Sequence, residues 1–191
     1  GGIGRVIDSK NPEYKNGDLA FGLIGWQTHC LTKPNAEDRF RVIPDLLPIP
    51  TMLNVMGSTG ITAYYGLIEL GNPMPGETVL VSGAAGATGS VVVQIAKLKG
   101  CHVIGIAGGK EKCDWLKDIG ADEVIDYKNT NVDEELSRLA KGGIDIYFDN
   151  VGGKILETVL ELININARIL LCGGISSGYD ATRPDDGPNN L

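Results

Sequence analysis

The stretch Val81-Ser82-Gly83-Ala84-Ala85-Gly86-Ala87-Thr88-Gly89 decides the fold. Its glycines have the spacing G-x-x-G-x-x-G, a variant of the G-x-G-x-x-G spacing that opens many dinucleotide sites. An apolar strand pattern precedes it at residues 79–81, and a helical pattern follows it at residues 90–99. A glycine turn in this context lets the backbone reach a pyrophosphate, and the helix start offers free N–H groups. The stretch predicts a dinucleotide site, and the plain alternative is a tight turn without a ligand.

Downstream of this turn, short apolar strands alternate with amphipathic helices. Further strands are predicted at residues 103–106, 123–127, 144–148 and 168–172. Further helices are predicted at residues 110–119, after the N-cap residue Asn131, and at residues 154–163. This alternation predicts an α/β fold with a doubly wound parallel sheet of the Rossmann type. Five strands are visible in the sequence where that fold has six, so we expect the sheet to be incomplete and to lack its last strand.

The first 52 residues follow a different pattern. They combine a strand at residues 4–8, a turn at residues 16–18 and a β-rich stretch at residues 19–31. Prolines follow at positions 34, 44, 48 and 50. Prolines at this spacing argue against a helix or a central strand, and they indicate a domain junction.

A helical pattern resumes over residues 53–70, with Gly71 as the predicted C-terminal cap. The change of pattern places a domain boundary between the two halves of the chain. We therefore predict a β domain over residues 1–52 and a dinucleotide-binding domain over residues 53–191.

The composition excludes several classes of protein. The 191 residues carry a formal net charge of -7, which repels nucleic-acid phosphates and anionic lipids, so neither partner is expected. No apolar run reaches the roughly 18 residues that a bilayer span needs. The two histidines and four cysteines lack the spacing of metal ligands, so no metal site is predicted. We expect the cysteines to be free thiols of a cytoplasmic protein.

The end of the second predicted strand favours NADP over NAD. It reads Ala107-Gly108-Gly109-Lys110-Glu111-Lys112, without the acidic residue that an NAD site places there for the ribose 2′-hydroxyl. A lysine is instead a suitable point charge for a 2′-phosphate. The alternative is that both lysines are solvated residues at the start of a helix.

The fourth and fifth predicted strands end in two further candidate motifs. Phe148-Asp149-Asn150-Val151-Gly152-Gly153 lies beside the topological switch, where ligands of this fold bind, and Asn150 could bond a ribose or a nicotinamide amide. The alternative is an Asp/Asn turn before a helix. In Leu171-Cys172-Gly173-Gly174-Ile175-Ser176, the glycines would let a nicotinamide ring pass close to the backbone.

Together these segments resemble the medium-chain dehydrogenase/reductase superfamily, within it the zinc-independent group of prostaglandin reductases, leukotriene B4 12-hydroxydehydrogenases and alkenal double-bond reductases. The resemblance also rests on Gly57-Ser58-Thr59-Gly60-Ile61-Thr62-Ala63-Tyr64, on Gln94-Ile95-Ala96-Lys97-Leu98-Lys99-Gly100 and on Asp126-Tyr127-Lys128. It implies that residues 1–52 are part of a GroES-like substrate domain, and that the full-length protein is a homodimer.

The resemblance also implies roles for individual residues. Lys112 and Tyr127 would lie at the 2′-phosphate, Asn150 at the cofactor ribose, and the backbone of Cys172 and Gly173 at the nicotinamide. Tyr64 and Tyr179 would line the substrate and are the candidates for a catalytic acid. The residues expected to bind NADP(H) are Gly83, Ala85, Gly86, Ala87, Thr88, Gly89, Gly108, Lys112, Tyr127, Asn150, Cys172 and Gly173.

The chemistry implied is reduction of the activated carbon–carbon double bond of an α,β-unsaturated ketone or aldehyde, with hydride transfer from NADPH to the β-carbon. Two alternatives remain open. One is NADPH:quinone oxidoreduction by the same hydride route. The other is a non-catalytic NADPH-binding protein that keeps the fold.

Overall fold

The computed structural model describes residues 1–35, 37 and 39–177. By its contacts the chain divides into two units, Gly1–Ser58 and Thr59–Leu191. This division lies beyond the boundary predicted after residue 52, and the assignment of the first 52 residues to a substrate domain stays a prediction. None of the described helices has the length and apolar character that a bilayer crossing requires.

The described part of the first unit contains a three-stranded antiparallel sheet in the order β1-β2-β3. The strands are β1 (Gly2–Arg5), β2 (Leu19–Gly22) and β3 (Arg41–Ile43). The strand predicted for residues 4–8 therefore starts earlier and ends at Arg5. The β-rich stretch predicted for residues 19–31 is strand only as far as Gly22, since the chain beyond pairs with no neighbouring strand among the described residues.

The proline-rich stretch contains a short helix, α1 (Ile49–Leu53), so the expectation that it excludes a helix is wrong. Pro48 is its N-cap, and Pro50 lies in its first turn. A proline is tolerated there because the first N–H groups of a helix have no intrahelical partner. The prolines therefore start this helix rather than prevent it.

The helix predicted over residues 53–70 is instead built from two pieces. The first is α2 (Ser58–Tyr64), and a π-helical segment, Tyr65–Gly71, continues from it. The cap is not Gly71 but Asn72, which adopts the left-handed conformation with φ 43°. Gly71 is buried instead, and a Cβ on it would lie 3.0 Å from the Leu170 side chain.

Within the described residues, the second unit contains a five-stranded parallel sheet in the order β6-β5-β4-β7-β8. Its strands are β4 (Thr78–Val81), β5 (His102–Ala107), β6 (Glu123–Asp126), β7 (Ile144–Asp149) and β8 (Ile163–Leu171). The crossover helices are α3 (Ala87–Leu98), α4 (Lys110–Asp118), α5 (Val132–Leu139) and α6 (Lys154–Leu160). This is the predicted Rossmann arrangement, and the strand order reverses between β4 and β7.

The start of α5 and the end of α6 were both predicted from the sequence, and only the first prediction is confirmed. Asn131 is the N-cap of α5, as predicted, because its side chain accepts a hydrogen bond from the Asp133 N–H at 3.0 Å. The helix predicted to reach residue 163 ends at Leu160 instead. The chain joins the sheet shortly after this residue, because the Ile144 N–H donates to the Leu162 carbonyl at 2.9 Å and Ile144 pairs with Ile163.

The sheet is packed by apolar side chains that form two clusters. One includes Val79, Val81 and Val103 together with α3, and the other includes Leu80, Ile104 and Ile106 together with α5 and α6. Neighbouring residues of β4 and of β5 thus belong to different clusters, as the alternation of side chains along a strand requires. Burial on both sides holds the carboxyl ends of the strands in fixed positions.

Candidate functional site

A cleft of about 590 Å³ lies at the carboxyl ends of the parallel strands. Apolar residues that the sequence analysis did not select, including Ile106, Val151, Ile155 and Ile175, form part of its wall. The structure also brings together at this cleft ten of the twelve residues predicted to bind a dinucleotide: Gly83, Ala85, Gly86, Ala87, Thr88, Gly89, Gly108, Lys112, Tyr127 and Asn150.

The glycine turn between β4 and α3 forms the middle of the cleft. Gly83 has φ 58°, a conformation that side chains rarely adopt, and its carbonyl accepts a hydrogen bond from the Gly86 N–H at 2.9 Å. A Cβ on Gly89 would overlap that same Gly83 oxygen. The helix α3 starts at Ala87 without a side-chain cap, so its first N–H groups are available to an anion in the cleft.

One end of the cleft, here called the β5 end, consists of Gly108, Lys112 and Tyr127. The Tyr127 ring covers Gly108 so closely that a Cβ on Gly108 would lie 2.7 Å from the ring. Lys112 is exposed on the first turn of α4 and lines the cleft. The other lysine of this turn, Lys110, pairs with Asp114, and this hydrogen bond raises the Lys110 pKa. The two predicted lysines are therefore in different situations, and Lys112 is the one at the cleft.

Asp126 joins the loop between β5 and α4 to the loop that follows β6, and the sequence analysis gave it no role. Its Oδ1 accepts hydrogen bonds from the N–H of Gly109 at 2.8 Å and of Lys128 at 3.1 Å. Its Oδ2 accepts from the Asn129 side chain at 2.7 Å. The bond from Gly109, followed by that from Asn129, holds the pKa of the Asp126 carboxyl below its ordinary value. The sequence showed no acidic residue at the end of β5, and the structure brings one from the end of the neighbouring strand β6.

The opposite end of the cleft, here called the β7 end, consists of Asn150 and Val151 and rests on the buried residue Asp149. The Asn150 side chain donates to the Ser82 carbonyl at 2.8 Å, and its backbone N–H donates to the Ser82 hydroxyl at 3.0 Å. Asn150 is thereby fixed to the start of the glycine turn. Its predicted contact with a ribose stays a prediction.

Asp149 holds this end together. It is completely buried, and in the described part of the chain its Oδ1 accepts hydrogen bonds from four donors. These donors are the Ser82 hydroxyl at 2.9 Å, the Tyr147 hydroxyl at 2.8 Å, the Val151 N–H at 2.9 Å and the Gly152 N–H at 2.8 Å. Its Oδ2 has no hydrogen-bond partner among the described residues. Burial and then the Asp149 charge raise the Tyr147 pKa well above its ordinary value, so Tyr147 remains a donor.

Cys172 and Gly173 lie at the same junction but, within the described residues, not on the wall of the cleft. Both donate their backbone N–H to the Asp149 carbonyl, at 2.8 Å and 3.1 Å. Burial, with a smaller effect of the Asp149 charge, raises the Cys172 pKa. The chain then returns to the β7 end, where the Ser176 hydroxyl donates to the Val151 carbonyl at 2.6 Å. Asp149 therefore connects the chain segments that follow β4, β7 and β8.

The sequence comparisons identify the family. A family model described as zinc-binding dehydrogenase matches residues 87–186, which is just over half of the chain. The chain belongs to this family. The zinc-binding dehydrogenase family is a branch of the medium-chain dehydrogenase/reductase superfamily. The resemblance to that superfamily, which the sequence analysis stated, is therefore confirmed.

Named relatives of the zinc-binding dehydrogenase family agree with this assignment. The NADPH-dependent curcumin reductase of Escherichia coli is 41% identical over 192 residues, which cover 100% of this chain and 55% of the relative. Prostaglandin reductase 1 of Oryctolagus cuniculus is 44% identical over 182 residues, which cover 94% of this chain and 52% of the relative. The chain thus spans about half the length of the curated relatives it matches.

A solved structure supports the fold assignment within the zinc-binding dehydrogenase family. CurA of Vibrio vulnificus in complex with NADPH superposes with a TM-score of 0.86 at 43% identity. The match covers 99% of this chain and 57% of that chain.

The family name refers to zinc, and the residues described here do not fit a zinc site. Residues 1–35, 37 and 39–177 contain no group of three or more His, Cys, Asp or Glu side chains that could hold a metal ion. Zinc sites in proteins need three or four such ligands converging on one point. No step of the proposed chemistry is therefore assigned to a metal.

The predicted substrate-lining tyrosines are not brought together at the cleft. Tyr64 ends α2, is about half exposed, and is absent from the cleft wall that the described residues form. Tyr179 lies outside the described residues. Asp149 is a functional residue to which the sequence analysis gave no role, although it lies inside a quoted motif. Its position at the end of an apolar strand was the feature that could have indicated a role for it.

Proposed function

We propose that the protein binds NADP(H) and reduces the activated carbon–carbon double bond of an α,β-unsaturated ketone or aldehyde. The observation that carries this proposal is the cleft, which is lined by the glycine turn in its middle and by Lys112 and Asn150 at its two ends. The glycine turn suits the pyrophosphate of a dinucleotide, Lys112 suits its 2′-phosphate, and Asn150 suits its ribose. The NADPH dependence of the curcumin reductase, and the NADPH held by CurA, support the choice of cofactor.

In this proposal, each part of the cleft has one task. The N–H groups at the start of α3 bind the pyrophosphate, and Lys112 and Tyr127 bind the 2′-phosphate. Asn150 orients the ribose, and the backbone at Cys172 and Gly173, which lies beside the cleft rather than on its described wall, borders the ring. NADPH, when bound, supplies the hydride that the β-carbon receives.

The protein must also stabilise the enolate oxygen that develops as the hydride arrives, because charge stabilisation is the main demand of this reaction. We propose Tyr64 and Tyr179 as residues that line the substrate and as the candidates to donate a hydrogen bond or a proton to it. A Tyr64→Phe variant tests the first of them. A fall in kcat with an unchanged Kd for NADPH supports the role, and an unchanged kcat removes Tyr64 from the proposal.

Parallel assays of the protein test the reaction. A 2-alkenal, an aryl enone and a quinone are each supplied with NADPH, and loss of NADPH absorbance is recorded. Turnover of the alkenal or the enone is expected. Turnover of the quinone alone would establish quinone oxidoreduction instead, and tight NADPH binding without any turnover would establish a non-catalytic binding protein.

We further propose that the protein works in the cytoplasm as a homodimer. The described cysteines are free, which suits a reducing compartment. Sedimentation of the protein under reducing conditions tests the dimer, and a monomer at micromolar concentration contradicts it.

A further inference from the structure

We propose that Asp126 is a positioning residue that determines the selectivity for NADPH over NADH, because it fixes the start of α4, which carries Lys112, relative to the loop that carries Tyr127. This inference rests on the proposed binding of NADP(H). It assigns a function to a carboxylate of the β5 end that neither binds the cofactor in the proposal nor stabilises the buried core.

Asp126 fixes the start of the helix that carries Lys112. Asp126 accepts the N–H of Gly109 at 2.8 Å, and Gly109 is the N-cap of α4 with φ 96°. No side chain of the helix itself caps this start. The carboxylate from the neighbouring strand therefore sets the position of the first turn of α4, on which Lys112 lies.

Asp126 also fixes the loop that carries Tyr127. The same carboxylate accepts the Lys128 N–H at 3.1 Å and the Asn129 side-chain amide at 2.7 Å, so the residues that follow Tyr127 are tied back to Asp126. The Tyr127 N–H itself donates to the Ala107 carbonyl at 3.1 Å. The loop that carries the ring and the start of the helix that carries the lysine thus share one acceptor.

The charge of Asp126 makes the inference testable. A free carboxylate beside a 2′-phosphate repels it, and so removing the charge alone should favour NADPH. Removing the acceptor should have the opposite effect if the carboxylate serves to position Lys112 and Tyr127. The two effects have opposite signs, and substitutions can separate them.

The experiment measures the Kd of NADPH and of NADH for the protein and three variants. Asp126→Ala removes both the charge and the acceptor, while Asp126→Asn removes the charge and keeps an oxygen for the Gly109 N–H. Asp122→Ala is the matched control, because Asp122 lies just before β6, at its other end, and accepts the N–H of Val103 at 2.8 Å. Asp122 does not line the cleft. Thermal unfolding verifies that every variant folds.

For Asp126→Ala we expect the preference for NADPH to fall at least about fivefold, through a weaker NADPH complex and a nearly unchanged NADH complex. Asp126→Asn should keep or raise the preference, and Asp122→Ala should leave it unchanged. An unchanged or higher preference in Asp126→Ala overturns the inference. So does an equal fall in Asp126→Asn or in Asp122→Ala. Absence of dinucleotide binding by the unmodified protein would instead reject the proposed function.

Discussion

The two ends of the cleft are built around carboxylates in opposite environments. Asp149 at the β7 end is completely buried and accepts four hydrogen bonds on one oxygen in the described structure. Asp126 at the β5 end accepts its hydrogen bonds near the surface. Loss of a buried acceptor leaves its donors desolvated, whereas water replaces a lost acceptor at the surface. The β7 end should therefore control folding, and the β5 end should control the choice of ligand.

The largest effect is expected for Asp149→Ala. The four donors around Oδ1 would lose their acceptor in a dry environment, so the free energy of unfolding should fall by about 3 kcal/mol or more. Urea denaturation measures this change. Asp149→Asn is the control, since its amide oxygen can still accept, and it should lose clearly less. A loss below about 1 kcal/mol for Asp149→Ala would show that the two ends do not differ in this way.

Gly89→Ala should strongly weaken dinucleotide binding with a smaller loss of stability. The added methyl group overlaps the Gly83 carbonyl oxygen, so the glycine turn and the start of α3 must separate. We expect the Kd of NADPH to rise on the order of a hundredfold. Gly142→Ala is the matched control, because a Cβ there meets nothing within 4 Å. Equal NADPH affinity in both variants would remove the glycine turn from the site.

Lys112→Ala should change the choice of ligand and leave the fold intact. Loss of its charge should raise the KM for NADPH about tenfold and leave the KM for NADH nearly unchanged. Lys110→Ala is the control, because Lys110 pairs with Asp114 rather than lining the cleft. If Lys112→Ala weakens both cofactors equally, Lys112 does not bind the 2′-phosphate. A larger effect of Lys110→Ala would exchange the roles of the two lysines.

The smallest effect concerns the amino end of the sheet, where Arg168 of β8 binds Glu77. The two guanidinium bonds, at 2.8 Å and 2.7 Å, hold the Glu77 pKa below its ordinary value. A lowered carboxyl pKa contributes stability that is present above the unfolded-state pKa and is lost as pH falls through the folded-state pKa. Glu77→Gln should therefore lower stability by about 1 kcal/mol at neutral pH and by less in acid. Urea unfolding at several pH values measures this, and a loss that is independent of pH would contradict it.

Features of the fold that depend on neighbouring residues in the chain are predicted from the sequence, and features that depend on distant residues are not. The alternation of strand and helix patterns predicts the fold, because β4, β5 and α4 are each determined by residues that are neighbours in the chain. The π-helical segment Tyr65–Gly71 and the early start of β8 were missed, because contacts with distant residues decide them. Leu170 packs against Gly71, and Ile144 pairs with Ile163.

The site divides in a similar way. The residues that line the cleft follow motifs at strand ends, which a sequence displays directly. Asp126 and Asp149 act through hydrogen bonds to other segments, with Gly109 and Ser82 as partners 17 and 67 residues away. The sequence locates both carboxylates but not these partners, and therefore it gives them no role.

The contact between Tyr127 and Gly108 constrains how such a cleft can evolve. Any side chain at position 108 would meet the tyrosine ring at 2.7 Å, so the ring must move before the position can change. A lineage that acquires an acidic residue at position 108, where an NAD site would place one after this strand, must therefore displace the Tyr127 ring or replace it. We therefore expect a substitution at position 108 to be accompanied by a shifted or substituted residue at position 127.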